Sequence, residues 1–341
     1  MTTQKLSGFF SAASMVMALL FTGNWAAARG QPPVESPPET EITQETEVRE
    51  TTAATEPTQQ ETTQPPDPRP QALEAAAEGM EAGCVFVCDG ETGELLYCST
   101  GPEQAMYPAS ITKLFSAWVA LRYLEPDRVI TAGDELELVR SGSSTACISK
   151  GFRLRVDMLV EGMLLPSGND AAYVLAAAAG REIAGDENLT ALKAVQVFVE
   201  EMNRQAEELG FAHTGFTNPD GYHAGGHYSC PEDVARMGLL ALEDPVISRY
   251  AGLQQDTVTF ESGQWITWYN TNLLLEPGSV YAVPGTLGLK TGYTGEAGYC
   301  LLAAFETERG RILVGIFDAE TKNSRYYDAI TLLDACSGEI P

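Results

Sequence analysis

The order of patterns along the chain predicts an α+β domain with a helical lobe inserted among its strands. Three observations predict it. Two short strand patterns separated by glycine turns open the folded part, a long helix-patterned stretch fills its middle, and further strand runs followed by one closing helix end it. No internal repeat interrupts this order.

Each element has a local reason. Cys84 to Cys88 and Glu94 to Cys98 are short β-prone runs, and Asp89-Gly90 and Thr92-Gly93 supply the turn between them. Pro108, followed by apolar residues at Leu114, Trp118 and Leu121, predicts a helix that starts at or beside Ser110 and runs to Leu124. From Arg155 to Leu242 the pattern is mostly helical, with segments over Val156–Leu165, Asp170–Ala179 and Ala191–Leu209. Val258–Phe260, Gly298–Phe305 and Ile312–Phe317 read as strands, and Ser324–Ala335 as the closing helix.

The 341 residues are enough for one large domain or two small ones, and 44% hydrophobic residues permit a sizeable core. A net charge of -26 excludes a nucleic-acid binder, which needs a basic face, and a polybasic grip on anionic lipid. Residues 1–28 read as a signal peptide: Lys5, an apolar run from Leu6 to Phe21, then Ala26-Ala27-Ala28 as a small-residue cleavage site. The alternative is an uncleaved N-terminal anchor, which Ser7, Gly8, Ser11 and Ser14 disfavour. Residues 29–72 are rich in Pro, Glu, Thr and Gln. They cannot bury a core and are expected to form a disordered acidic linker spanning roughly 35–40 Å. The folded domain is expected over 73–341.

Seven cysteines leave at least one unpaired within the chain. Cys84 and Cys88 share a strand face roughly 13 Å apart, too far to bridge. The cysteines read mostly as buried small hydrophobes. His213, His223 and His227 lack clear metal-ligand company, so no metal is expected.

Three short strings bear on chemistry. Ser110 and Lys113 lie one helical turn apart, so an unprotonated Lys113 could deprotonate the Ser110 hydroxyl. That requires a lowered lysine pKa, through burial or through a nearby cation such as Lys290. A Ser-x-x-Lys spacing also arises by chance. Ser167-Gly168-Asn169 could place a hydroxyl for proton relay and an amide for a substrate backbone, or could simply cap the following helix. Lys290-Thr291-Gly292 could border a strand edge that accepts an extended peptide, with Gly292 allowing close backbone approach, or could be an ordinary glycine turn.

Taken together, Tyr107-Pro-Ala-Ser-Ile-Thr-Lys113, Leu164-Leu-Pro-Ser-Gly-Asn-Asp-Ala-Ala172 and Gly288-Leu-Lys-Thr-Gly-Tyr-Thr294 resemble the low-molecular-mass penicillin-binding proteins, the serine D-alanyl-D-alanine carboxypeptidases. Met202-Asn203, Leu209-Gly210, Thr217-Asn-Pro-Asp-Gly221 and Asn270-Thr-Asn-Leu-Leu274 extend the resemblance from about Leu73 to the C-terminus. It implies a β-lactamase/transpeptidase-like fold, an antiparallel sheet flanked by helices. It also implies Ser110 as nucleophile, Lys113 as its base and Ser167 as a proton relay. Asn169, Lys290, Thr291, Gly292 and Tyr293 would bind substrate, the backbone N–H groups of Ser110 and Tyr293 would form an oxyanion hole, and Arg325 would meet the terminal carboxylate. A surface arginine on the last helix is the alternative for Arg325.

The implied partner is a peptidoglycan stem peptide ending in D-Ala-D-Ala, with β-lactams as acylating inhibitors and no metal or organic cofactor. The implied place is outside the cytoplasmic membrane. The family often adds an all-β domain and an amphipathic C-terminal helix. The sequence stops at Pro341, just after the expected closing helix, so both additions are expected to be absent, with the N-terminal segment as the visible means of membrane association. Two rival functions stay in view. A serine β-lactamase of class A carries Asp where this chain has Gly168, and no convincing Glu-bearing loop is visible to activate a deacylating water. A non-catalytic wall-binding or β-lactam-sensing domain would have no need of Ser110, Lys113 and Lys290.

Overall fold

A computed structural model describes residues 67–338. The expected signal peptide and most of the expected linker lie outside the described residues. In chain order the elements are α1 (Arg69–Ala77), β1 (Cys84–Asp89), β2 (Leu95–Cys98), α2 (Thr112–Ala120), β3 (Val129–Thr131), β4 (Arg153–Arg155), α3 (Val156–Leu164), α4 (Asn169–Ala184), α5 (Ala191–Glu208), α6 (Pro231–Glu243), α7 (Pro245–Ala251), β5 (Gln255–Thr259), β6 (Trp265–Tyr269), β7 (Thr286–Thr294), β8 (Gly298–Thr307), β9 (Gly310–Ala319) and α8 (Ser324–Ser337).

Five strands form one antiparallel sheet in the order β2-β1-β9-β8-β7. Alternation decides which core each side chain joins. On β1, Phe86 and Cys88 face the helical lobe, while Val85 and Val87 face α1 and α8. Both faces are covered, so these strands read as continuous apolar runs. Gly315 on β9 lies opposite Phe86, and a Cβ there would stand 2.2 Å from the Phe86 ring. The glycine makes room for Phe86, which stacks on Phe317 at 6.0 Å.

In the lobe, α4 is an alanine-rich helix buried from Asn169 to Gly180. The amphipathic α5 packs beside it through Ala194, Val195, Phe198, Met202 and Ala206, at the spacing of one helix face. The expected α+β architecture with an inserted helical lobe is therefore present.

Details differ where tertiary context acts. The expected helix at Ser110 opens as a 3-10 turn over Ala109–Ile111, and α2 begins only at Thr112. At its far end the chain tightens through Arg122 N–H to Val119 O and Tyr123 N–H to Ala120 O, before Pro126 bars continuation. Helix α1 begins at Arg69, inside the last positions of the expected linker, and Leu73 is fully buried under the sheet. The run at Val258 belongs to a β5–β6 hairpin whose second strand carried no clear sequence signal.

All seven cysteines are free thiols; five are buried, as expected of small hydrophobes, whereas Cys98 is half-buried and Cys147 exposed.

Candidate active site

Strand β7 is the outer strand of the sheet, and the lobe lies alongside it. Between them runs a cleft of about 600 Å³ lined from the sheet by Thr291 and Tyr293 and from the lobe by Ser110, Ser167 and Asn169.

Ser110 sits in the 3-10 turn that enters α2. Lys113 Nζ donates to Ser110 Oγ at 2.8 Å and to the carbonyl of Asp220 at 2.7 Å. Lys113 is completely buried, and burial pulls its pKa down to about 8 against the opposing pull of the Asp220 and Asp170 carboxylates. Burial, the first of the two expected causes, is the main one, and the cation repulsion expected of Lys290 is not among the causes acting on Lys113. The repulsion acts visibly on Lys290. Its pKa is driven well below the ordinary lysine value by burial, by Lys113 and by Arg325.

Ser167-Gly168-Asn169 joins α3 to α4, and it does not cap. The N-cap position of α4 falls on Gly168, and no side chain there accepts a capping hydrogen bond. Ser167 holds a left-handed backbone at φ 61°, a conformation that non-glycine residues adopt rarely and that is held here by its surroundings. Its carbonyl accepts from Ser144 Oγ at 2.7 Å, while Asn169 N–H donates to Ser144 O at 2.9 Å. Gly168 is wedged so closely that a Cβ would stand 2.7 Å from the backbone nitrogen of Ala146 and from the Gly162 carbonyl oxygen. The Asn169 side chain is buried, and its Oδ1 has no hydrogen-bond partner among the described residues.

On β7, Lys290 is buried and donates to the Thr291 carbonyl at 3.0 Å, while the hydroxyls of Thr291 and Thr271 pair at 2.7 Å. Gly292 does allow a close approach, but to the turn that carries Ser110. A Cβ there would lie 2.9 Å from Ala109 Cβ and 3.1 Å from Ser110 N. Tyr293 is exposed and its ring packs on Tyr299 at 4.5 Å.

Arg325 is not a surface arginine. It is buried, and its guanidinium donates to Gly292 O at 3.2 Å, Cys300 O at 3.0 Å and Tyr326 Oη at 3.0 Å. Tyr326 Oη in turn donates to Thr271 O at 2.9 Å, so the last helix ties β7, β8 and the Thr271 loop together. Three of the Arg325 donor bonds stay within the protein, its Nε has no partner among the described residues, and the side chain contributes to the lining of the cleft.

Several residues that build the site carried no assigned role in the sequence. Asp170 accepts from Ala146 N–H at 2.7 Å and Ile148 N–H at 2.9 Å, anchoring the 144–148 loop against Ser167. The turn Asn218-Pro-Asp-Gly221 supplies the carbonyl for Lys113. Asn218 Oδ1 accepts from Gly221 N–H at 2.8 Å, and Gly221, at φ +81°, comes so near Ala109 O that a Cβ would lie 1.8 Å from it. His227 Nδ1 accepts from Thr217 N–H at 3.2 Å, so its Nε2 carries the proton and donates to Thr112 Oγ1 at 3.0 Å. Burial holds this ring neutral, with its pKa down at about 4. The Asn-Pro-Asp-Gly string is a turn signature, and this is the signal that could have pointed to Asp220.

A serine whose hydroxyl meets a desolvated lysine, beside the edge strand of an antiparallel sheet, places the molecule among the penicillin-binding transpeptidase folds. A Streptomyces DD-transpeptidase crystal structure superposes with a TM-score of 0.67 at 27% identity, covering 75% of this chain and 97% of that one. The chain belongs to the D-alanyl-D-alanine carboxypeptidase family, whose model matches residues 71–321. It is 31% identical over 260 residues to D-alanyl-D-alanine carboxypeptidase DacF of Bacillus subtilis, covering 74% of this chain and 61% of the relative. It is equally 31% identical over 260 residues to a Streptomyces D-alanyl-D-alanine carboxypeptidase, covering 73% of this chain and 84% of the relative. The chain thus spans about three-fifths of the length of the Bacillus relative.

Proposed function

We propose that this chain is an exported serine D-alanyl-D-alanine carboxypeptidase that trims peptidoglycan stem peptides. The observation that carries the reading is the 2.8 Å contact between Ser110 Oγ and a completely buried Lys113 whose pKa is lowered to about 8. A lysine of ordinary pKa would hold its proton at neutral pH; this one is available as a base in a useful fraction of molecules.

Ser110 Oγ attacks the carbonyl carbon of the penultimate D-Ala while Lys113 Nζ takes the hydroxyl proton. The backbone N–H groups of Ser110 and Tyr293 receive the oxyanion, a role supported by the close packing of Gly292 on the Ser110 turn. The C–N bond breaks, and Ser167 relays a proton from the lysine pair to the departing D-Ala nitrogen. Water then attacks the Ser110 ester, giving its proton to Lys113, which passes it to Ser110 Oγ as the ester C–O bond breaks and the shortened peptide leaves. The unpartnered Asn169 Oδ1 accepts from the substrate backbone. Lys290, Thr291 and the buried Arg325 charge attract the terminal carboxylate. β-Lactams acylate Ser110 by the same route because their amide occupies the place of the scissile bond.

The organisation proposed around this domain is a signal peptide or anchor over 1–28, an acidic linker over 29–72 and the catalytic domain over 73–341. An anchor over 1–28 would attach the domain to the membrane. No helix among the described residues is long and apolar enough to cross a membrane.

The test is labelling with a fluorescent penicillin followed by assay of D-Ala release from a peptide ending in D-Ala-D-Ala. Wild type should label and release D-Ala, and Ser110→Ala should do neither. Labelling that survives Ser110→Ala sinks the nucleophile assignment. Rapid penicillin turnover without D-Ala release would instead make the chain a β-lactamase, and labelling without turnover of either substrate a sensing domain.

A further inference from the structure

The β5–β6 hairpin beside the cleft has two unlike faces. Val258 and Trp268 point inward and are buried, and Trp268 Nε1 donates to the Ala146 carbonyl at 3.0 Å. The outward face consists of Gln255, Thr257 and Thr259 on β5, paired respectively with Tyr269, Thr267 and Trp265 on β6. It carries no charged side chain, although the chain has a net charge of -26. Trp265 is 72% exposed and Tyr269 60% exposed, among the largest apolar exposures of the described residues. Two such rings in water are an unfavourable arrangement for folding alone. Between them the Thr257 and Thr267 hydroxyls bond to each other at 2.8 Å, forming a flat hydroxyl bridge.

The face is continuous with the cleft, because Tyr269 and the following Asn270 line it. Trp265 stands four residues further along the same strand face, roughly 13 Å away at the ordinary strand rise. The stripe therefore leads outward from the nucleophile, spaced for more than one sugar ring.

We infer that this outward face docks the glycan strand to which the stem peptide is attached, its uncharged sugar rings stacking on Tyr269 and Trp265. The inference rests on the proposed peptidoglycan substrate. The apolar face of a pyranose ring matches an exposed indole or phenol ring, and its equatorial hydroxyls match Thr and Gln. A neutral polymer suffers no repulsion from the acidic chain. A second copy of this chain would bring another large negative charge to the contact, and anionic lipid would be repelled likewise. Binding along the glycan would hold many stem peptides near Ser110, raising their effective concentration.

The experiment uses the full chain and wall glycan stripped of stem peptides by an amidase, with the lactyl carboxylates that this exposes converted to amides so that the strand stays uncharged. The three other tryptophans, Trp25, Trp118 and Trp268, are common to wild type and Trp265→Phe, so the difference in acrylamide quenching between the two reads Trp265. Stripped glycan should protect Trp265 from quenching, and Trp265→Ala should weaken glycan binding about tenfold. The same variant should lower D-Ala release from wall-linked stems about tenfold relative to release from free peptide. Absence of protection, or equal glycan affinity in Trp265→Ala, overturns the inference. So does a dimer, or adhesion to zwitterionic vesicles, that Trp265→Ala abolishes. D-Ala release from free peptide without glycan binding refutes the docking face and leaves the carboxypeptidase standing. Glycan binding without D-Ala release does the reverse.

Discussion

The acylation step should titrate with Lys113. Its ammonium is buried and pulled down to about 8 from 10.5. At pH 7 about one molecule in ten then carries the neutral amine, and at pH 9 about nine in ten. The rate constant for acylation of Ser110 by a penicillin should therefore rise roughly tenfold between pH 7 and 9 and level off above. Stopped-flow acylation under single-turnover conditions measures this directly, and the penicillin carboxylate stays ionised across the range. A profile that is flat from pH 6 to 9, or whose inflection lies near 10, would refute the assignment of Lys113 as base. The same shift has a consequence for stability. Between about 8 and 10.5 the folded chain binds fewer protons at this site than the unfolded chain, so its contribution to stability rises with pH through that window. Below about 8 both states hold the proton and the full burial penalty is felt, on the order of 3 kcal/mol. Lys113→Met, which matches the stem and removes the charge, should accordingly be more stable at pH 7 by about 2 kcal/mol, after the lost bonds to Ser110 and Asp220 are counted, and should not be acylated at all. A less stable Lys113→Met would contradict the burial argument.

Two further outcomes follow from contacts in the second motif. Gly168→Asp should lower Tm by several degrees and abolish penicillin labelling, because any side chain there meets the Ala146 nitrogen and the Gly162 carbonyl at 2.7 Å; a variant with wild-type Tm would show that the 144–148 loop yields freely. Asn169→Ala should leave Tm within about 2 °C of wild type, since its Oδ1 bonds to nothing in the fold, while acylation slows about tenfold. A large fall in Tm with unchanged acylation would assign Asn169 to structure instead.

What the sequence disclosed was local or periodic. The apolar runs of β1, β8 and β9, the helical pattern of α5 and the order of strand and helix blocks were all visible, because each depends on near neighbours. The contact between Ser110 and Lys113 was visible as a spacing. What escaped depends on distant contact. Nothing near Lys113 announces that its amine will meet the carbonyl of Asp220, because a backbone acceptor has no residue signature. Nothing near Ser167 or Asn169 shows that their side chains turn away from capping, which is decided by Ser144 and Gly162. Arg325 looked equally like a surface residue, since its burial depends on carbonyls of β7 and β8. The second strand of the β5–β6 hairpin was obscured because its outward positions are Trp, Thr and Tyr, so polar alternation was lacking.

The placement of β9 carries a further consequence. It is the last strand among the described residues, yet it lies between β1 and β8 and joins the first strand to the edge that faces Ser110. The helix after it then fixes that edge through Arg325. A chain emerging N-terminus first, from a ribosome or through a translocation pore, therefore displays its serine and lysine long before they can act together. On the proposed mechanism, the serine and lysine gain their full setting only when β9 and α8 arrive. Time-resolved penicillin capture during synthesis would on this basis mark the moment at which α8 docks.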